Sequence, residues 1–449
     1  MIAVYKCGVF LLGIGLFWLI VCANYDKLKL ILSFLAGIFF QACLGIWQFL
    51  TQSSFANKWL GMAAHSAGDL GVSVVETLQG GRWLRAYGGL DHPNILGGVL
   101  AVGLLLTIGL IVEDTRIQDT ITKQITNYKL QITNKFKIQN PKFLNYILLC
   151  VLCFMLCGMF FTFSRGAWAG LLVGILIMLA ALIIKKDLRG QKRLLKIILL
   201  SAVLIFILFN LFQDLVLTRL SQDARLEVKS NVERVESLRS AQQLIKNNWL
   251  RGVGIGNYIK YNANLQIYAN TTNTNYANKD TYVQPAHNVF LLVWAEIGIF
   301  GLLFFIGLLL ACSDCLETLF CHSRPLRRSF SPLRRVEDEA SEASASGNPG
   351  VNSKNTKINK KLKKRRNTFI YFLVHTANSW IPNQVGNDRG VVFGHSQAKF
   401  SLLAAITAMF FVDHWWWSLH FGVLLFWLVL GLIFAIDRDN DKTYNENII

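Results

Sequence analysis

Long apolar runs alternate with polar and basic segments along most of the chain. Most of these runs hold 17 or more nearly uncharged residues, which is long enough for a helix to cross a bilayer. The candidate spans are 7–23, 28–50, 93–112, 144–163, 166–184, 195–217, 287–312, 399–412 and 417–435. The period-two alternation that marks membrane β-barrels is absent. The pattern therefore predicts an all-α fold, a polytopic transmembrane helical bundle of about nine spans.

Composition agrees with this pattern and limits the class of partner. The 449 residues are 53% hydrophobic with a mean hydropathy of +0.40, which is too apolar for an ordinary soluble protein. The net charge of +18 would suit a nucleic-acid-binding protein, but 27 of the 45 Lys and Arg residues fall within 114–143, 185–196 and 313–399. Basic loops of this kind mark the cytoplasmic side of a membrane and can contact anionic lipid. We therefore expect membrane lipids, and no nucleic acid, among the partners.

The basic loops also predict the orientation and the domain organisation. If 114–143, 185–194 and 313–398 are cytoplasmic, then 51–92, 218–286 and the N-terminus lie outside. An external N-terminus with an odd number of helices suggests that the N-terminal helices are truncated. The expected domains are N-terminal helices 1–50, an outer loop 51–92, a transmembrane core 93–217 with the low-complexity loop 114–143, a long outer loop 218–286, a motif-bearing helix 287–312, a basic disordered cytoplasmic insertion 313–398, and C-terminal helices 399–435.

The long outer loop has an ordered pattern. Ser230 and Glu233 have the spacing of a capping box, and apolar residues follow at helical spacing. These features predict an amphipathic helix over about 231–247. It is followed by RGVGIGNY, whose three glycines predict a tight turn, because no strand precedes them as a nucleotide-binding loop would require.

Ionisable residues inside apolar runs, or at their ends, are candidates for function. Arg165 stands in FTFSRGAWAG, where one run ends and the next begins, and Arg234 lies on the amphipathic helix. His287 opens HNVFLLVWAEIGIFG, which also contains Glu296. A snorkelling or solvated Arg and a structural His are the plain alternatives. Glu296 lies about 2.5 helical turns beyond His287 and on another side of the helix, so we expect a buried structural carboxylate there and not the base.

Two further polar clusters stand next to apolar runs. LRAYGGLDHPNILGG places His92 and Asn94 at the outer mouth of a span, and its Pro suits a helix start. FVDHWWWSLHFG combines aromatic residues typical of a membrane interface with Asp413 and His414, which can equally be a polar turn between two spans. The orientation above puts both clusters on the same side as His287.

Two arginines, a histidine and an ordered loop on one side of a membrane suit a particular chemistry. Two guanidinium groups can hold a pyrophosphate through bidentate contacts. A neutral imidazole can accept the proton of an acceptor hydroxyl. Together they favour group transfer from a lipid-pyrophosphate donor whose tail stays in the bilayer.

Four stretches also resemble the O-antigen ligase and polymerase family of bacterial membrane glycosyltransferases. They are LRAYGGLDHPNILGG, FTFSRGAWAG, RVESLRSAQQLIKNNWLRGVGIGNY and HNVFLLVWAEIGIFG. The resemblance implies a C-type glycosyltransferase fold and metal-independent transfer without a cofactor. The implied donor is an undecaprenyl-pyrophosphate-linked oligosaccharide, and the acceptor is a glycan, a lipid or a protein. The implied location is the cytoplasmic membrane, with the active side facing the periplasm or the exterior.

Motif by motif, the resemblance assigns roles to residues of this chain. His287 is implied to be the catalytic histidine, and Arg165 and Arg234 are implied to bind the donor pyrophosphate. The motifs supply three supporting residues, Asn94, Asn288 and Gly298. Two other readings stay open: a transporter of an anion or lipid-linked glycan, which Glu296 would favour, and an inactive, truncated member of the family.

Overall fold

The computed structural model describes residues 2–23, 27–59, 61–77, 79–112, 141–221, 225–263, 284–313 and 397–446. The predicted insertion 313–398 and the low-complexity loop 114–143 fall almost wholly outside these residues. Helices dominate the described part, and they run in chain order as α1 (Ile2–Cys22), α2 (Lys27–Thr51), α3 (Pro93–Val112), α4 (Pro141–Phe161), α5 (Arg165–Ile184), α6 (Leu188–Leu211), α7 (Gln213–Ser221), α8 (Arg225–Asn248), α9 (Val289–Ser313), α10 (Gln397–Phe410), α11 (Trp415–Ser418) and α12 (His420–Glu446).

The apolar helices confirm the predicted fold class. Six of them are long and apolar enough to cross a membrane, namely α1, α2, α3, α5, α6 and α9. Three shorter apolar stretches, Asn145–Phe161, Ala398–Phe410 and His420–Ile433, occupy the other predicted spans. The protein is therefore a multi-pass helical membrane protein.

Helix α3 lies at the centre of the bundle. It is apolar on all sides and almost every residue is buried, as expected for a helix enclosed by other helices. Its glycines let neighbours approach closely: a Cβ at Gly97 would lie 2.9 Å from Ala167 Cβ on α5, and one at Gly98 would lie 2.4 Å from the Trp415 ring. By contrast, most side chains of α1 and α6 are exposed or only partly buried, which suits contact with lipid.

The outer loop 51–92 contains short strands that the sequence pattern did not indicate. β1 (Ser53–Ser54) pairs antiparallel with β2 (His65–Ser66), and β3 (Val74–Glu76) pairs antiparallel with β4 (Arg82–Leu84). The buried Gln48 side chain of α2 holds the chain after β4 by donating to Gly88 O at 2.8 Å and accepting from Tyr87 N and Gly88 N. This anchoring fixes the path of residues 84–92 against the helix bundle.

Several predicted boundaries are wrong. Helix α8 begins at Arg225 and not near 231, so Ser230 lies within the helix and is not its cap. The predicted span 195–217 is divided into two helices, α6 and α7, because the helix is interrupted at Phe212. Helix α6 also begins earlier than predicted, at Leu188, because basic residues extend it at its polar end. The predicted span 417–435 is likewise divided, into the short α11 and the long α12.

Candidate functional site

One end of the bundle gathers the polar side chains. The N-terminal ends of α3, α5 and α9 and the C-terminal ends of α2, α4 and α10 meet there, together with the loop that follows β4. His287 lies two residues before the start of α9, and Asp413 and His414 lie between α10 and α11. His287 Nδ1 lies 3.9 Å from Asp413 Oδ1, and the His287 and His414 rings lie 4.9 Å apart between centroids.

His287 is held as a neutral imidazole. Burial is the main cause that lowers its pKa to about 4, and His414 and Arg234 add to the effect while Asp413 opposes it. Its Nε2 lies 3.2 Å from Gln284 Oε1. With Nε2–H donating to that amide oxygen, the basic nitrogen is Nδ1, which is buried and makes no hydrogen bond to the described residues.

Asp413 and His414 form the other side of this cluster. Burial raises the pKa of Asp413. His287, the His414 backbone N–H at 2.9 Å, Arg234 and Asn94 each act to lower that pKa. Burial also lowers the pKa of His414 to about 4, and its Nδ1 lies 2.6 Å from Ser418 Oγ. Asp413 therefore has cations and N–H groups around it that favour the carboxylate form.

Arg85 is the most deeply buried cation at this end. It follows β4 directly and is 4% exposed. Its Nε donates to Thr162 O at 2.7 Å and its Nη2 donates to Asn94 Oδ1 at 2.8 Å. Burial lowers the pKa of Arg85 to about 10, with Arg234 acting in the same direction and Asp413 opposing it. The predicted supporting residue Asn94 thus links Arg85 to Asp413.

Three more arginines surround the cluster. Arg165 is the first residue of α5, after Ser164, which accepts the Ala167 N–H and caps the helix. Arg219 on α7 donates from Nε to Phe163 O at 3.3 Å. Arg234 on α8 has a buried Nε that makes no hydrogen bond to the described residues. Burial, followed by Arg85, Arg165 and Arg234, lowers the pKa of Arg219.

Positive charge is concentrated at this end of the bundle. The four arginines act on one another electrostatically, and the carboxylate that opposes them there is Asp413. An arginine keeps its proton in a protein, so the positive charge stays where it is buried. An anionic ligand would lower the free energy of such a cluster.

The glycine turn and α9 form one backbone unit. Helix α9 is broken at Gly298, whose φ of 73° and ψ of −175° are not helical. The break exposes two carbonyls to the turn: Val253 N donates to Ala295 O at 2.9 Å and Gly254 N donates to Glu296 O at 2.8 Å. Ile299 N on the far side of the break donates to Trp249 O at 3.0 Å. This pairing joins the end of α8 to α9 and sets Arg234 relative to His287.

Asn288 has a local structural role. Its Oδ1 accepts the Leu291 N–H at 3.0 Å and so caps the start of α9. Its Nδ2 donates to Phe411 O at 3.4 Å, next to the turn that carries Asp413. Asn288 thereby ties the two sides of the histidine cluster together.

The structure brings most of the predicted residues to one place and adds others. His287, Arg165, Arg234, Asn94 and Asn288 lie at this end of the bundle, whereas Gly298 lies farther along α9, against the turn that follows α8. Arg85 and Arg219 are not among the residues predicted from the sequence, and Asp413 and His414 can equally be read there as a polar turn. Arg85 stands eight residues before a membrane helix in a stretch rich in Gly and aromatics, and that position was the available signal.

The cluster also offers a set of metal-ligand atoms. One atom each from His287, Asp413 and His414 lies within 4.8 Å of the others. The surroundings fit a cation poorly, because Arg234 acts on both His287 and Asp413, and the Ser418 hydroxyl already engages His414 Nδ1. The electrostatics favour an anion here.

These features define a multi-pass helical membrane protein whose polar site combines a neutral histidine with an excess of arginine. Residues 150–306 match the family described as O-antigen ligase, and the chain carries the O-antigen ligase domain over those residues, as its motifs indicated. The match includes Arg165, Arg219, Arg234 and His287. Neither the curated proteins nor the solved structures yielded a match. The match covers about a third of the chain and supports a membrane enzyme of the O-antigen ligase and polymerase type.

Proposed function

We propose that this protein transfers glycan from an undecaprenyl-pyrophosphate-linked donor to a hydroxyl group of an acceptor. The observation that carries the proposal is the Arg234 guanidinium group, whose buried Nε has no hydrogen bond to the described residues, beside a neutral histidine whose basic nitrogen likewise has none. An arginine cluster suits phosphate oxygens, which accept bidentate hydrogen bonds. The family match to O-antigen ligases supports the same donor class.

The donor pyrophosphate would occupy the space between Arg165 and Arg234, with Arg85 and Arg219 adding charge from the bundle side. Each phosphoryl group of the intact donor carries one negative charge, and the departing lipid pyrophosphate gains another. The arginine excess therefore stabilises the transition state more than the bound donor. Differential stabilisation of developing charge of this kind lowers the barrier for the chemical step.

His287 would act as the general base. The acceptor oxygen forms a bond to the anomeric carbon, the bond from that carbon to the pyrophosphate oxygen breaks, and the acceptor proton moves to His287 Nδ1. Asp413, 3.9 Å from that nitrogen, would stabilise the imidazolium that results. The proton then leaves to the released pyrophosphate or to solvent. No step requires a metal ion or a cofactor.

The site would face the periplasm or the exterior of the cytoplasmic membrane. The basic segments cluster toward the opposite ends of the helices, for example at the start of α6. The donor's lipid tail would remain in the bilayer beside the bundle. Glycan, lipid and protein acceptors all present the hydroxyl that this chemistry uses.

The test is turnover by purified protein of a lipid-pyrophosphate glycan, with a panel of glycan, lipid A and peptide acceptors. His287→Gln should reduce transfer by about 10²–10⁴-fold, the range for loss of a general base, without lowering the melting temperature in detergent. His420→Gln is the matched control, because His420 is exposed at the start of α12. Near-wild-type transfer by His287→Gln, or a rate that EDTA abolishes and a divalent cation restores, would overturn the mechanism.

Transport is the reading that Glu296 favoured in the sequence. In the structure the Glu296 side chain accepts a hydrogen bond from Trp417 Nε1 at 2.9 Å and is 5% exposed. It is thus committed to contacts inside the protein. The turnover assay separates the two functions, because transfer releases the lipid pyrophosphate and transport does not.

A further inference from the structure

Glu296 is a buried carboxylate that the proposed chemistry does not use. It lies on α9 just before the helix break. Trp417 Nε1 donates to it, and the backbone of Gly256 and Tyr258 lies near enough to favour its charged form. Its negative charge attracts the Lys6 ammonium group on α1. One carboxylate therefore contacts the glycine turn and α11 at the same time.

Lys6 touches the same two segments from the other side. Its Nζ donates to the Ser418 carbonyl at the end of α11. Its side chain also lies under the glycine turn, since a Cβ at Gly256 would stand 2.8 Å from Lys6 Cγ. Lys6 and Glu296 together enclose the turn and α11 between α1 and α9.

Helix α11 transmits this arrangement to the histidine cluster. His414 O accepts hydrogen bonds from Trp417 N and Ser418 N, both at 3.0 Å. The Ser418 hydroxyl lies 2.6 Å from His414 Nδ1, and the His414 ring contacts His287. Displacing α11 would therefore displace His414 and, beside it, Asp413.

We propose that Lys6 and Glu296 act as positioning residues: two opposite charges, one partly buried and one buried, that hold α11 and the glycine turn in place and so set Asp413 and His414 against His287. The kinetic part of this inference rests on the proposed function. The structural part, the ordering of the turn and of α11, does not.

The pairing of charges gives a sharp test. Removing one member of a buried pair leaves the other charge uncompensated, which is strongly destabilising, whereas removing both is much milder. Lys6→Met and Glu296→Gln should each be more damaging than the double variant that carries both changes. Independent packing roles would instead make the double variant at least as damaging as the worse single one.

The experiment measures hydrogen exchange and transfer for wild type, both single variants and the double variant in the same detergent. The single variants should lose amide protection over 250–258 and 414–418 and lower kcat by about tenfold or more, with a smaller change in the donor KM. The double variant should recover part of both. Lys229→Met and Glu236→Gln are matched controls, because both residues are exposed on α8.

Each outcome either supports or overturns the positioning role of Lys6 and Glu296. Wild-type protection in the single variants, or a double variant with no recovery, overturns the charge-pair proposal even if the wild-type enzyme transfers glycan. If the single variants do not fold, the double variant must still fold, and its failure also overturns the proposal. Loss and recovery of protection in a protein that shows no transfer would support the positioning and refute the proposed function instead.

Discussion

Gly298→Ala is the substitution whose effect the structure specifies best. The residue sits at φ 73° and ψ −175°, a region that is accessible almost solely to glycine. An added Cβ would lie 2.1 Å from the Leu250 carbonyl oxygen and 2.6 Å from its carbon. Both contacts are with backbone, so no side chain can rotate to make room.

The magnitude has two parts. The backbone conformation costs about 1–3 kcal/mol for a residue with a Cβ. In addition, the Leu250 carbonyl must move by about 0.9 Å to reach 3.0 Å, the shortest distance that such contacts tolerate. Leu250 lies two residues after the end of α8, so the shift moves Arg234 relative to His287. A misplacement of roughly 1 Å at a reacting geometry can cost about a hundredfold in rate.

Gly307→Ala on the same helix is the matched control, because no atom lies within 4 Å of the Cβ it would add and its backbone is helical. We expect Gly298→Ala to lower the melting temperature in detergent by about 5 °C and transfer by tenfold or more. Gly307→Ala should match wild type in both. Equal melting temperatures and rates for the two variants would refute the argument that the break at Gly298 joins the turn to the helix.

Two further predictions concern charge. Arg85→Gln should raise the donor KM about tenfold, as expected for loss of a charge-assisted contact. Arg225→Gln is the control and should leave the donor KM unchanged, because the Arg225 side chain is 84% exposed. Equal donor KM values for the two variants would show that Arg85 does not bind the donor. The folded state lowers the pKa of both His287 and His414 to about 4, so it binds fewer protons than the unfolded chain below pH 6.5. Their contribution to stability is complete above pH 6.5 and is lost as the pH falls toward 4. The melting temperature of the ligand-free protein should therefore drop across that window. The drop should be smaller for His414→Gln, which has one such histidine fewer.

The sequence alone predicted the membrane fold, because apolar runs of sufficient length have few alternatives in a bilayer. It also singled out His287 and Arg165 as candidates, since ionisable residues at the ends of such runs are conspicuous, and Arg234 as a residue of the amphipathic helix; their roles stay predictions. Helix ends were predicted less well. The Ser230 capping box was outweighed by helical residues before it, and tertiary contacts decide such boundaries more strongly than a local cap.

The partners of these residues depend on contacts between segments far apart in the chain. Asp413 comes 126 positions after His287, and nothing local distinguishes it from a polar turn. Arg85 follows a strand of three residues, too short to give a period-two pattern. Its role becomes visible only when Asn94 and the Thr162 carbonyl are seen to hold its guanidinium group.

The two motifs nearest the site now have one physical explanation. A glycine turn and a helix with an internal glycine each look like separate packing features in the sequence. In space, the N–H groups of the turn complete the hydrogen bonding of the carbonyls at the helix break, and Gly252 and Gly298 each make room for the other segment's backbone. Backbone pairing of this kind is stiffer than a contact between side chains, because it leaves no rotamers to adjust. The backbone pairing at the break thus joins α8, which carries the proposed donor-binding Arg234, to α9, which follows the proposed base His287. Side-chain changes at the surface of α8 should therefore affect the site far less than a single methyl group at Gly298.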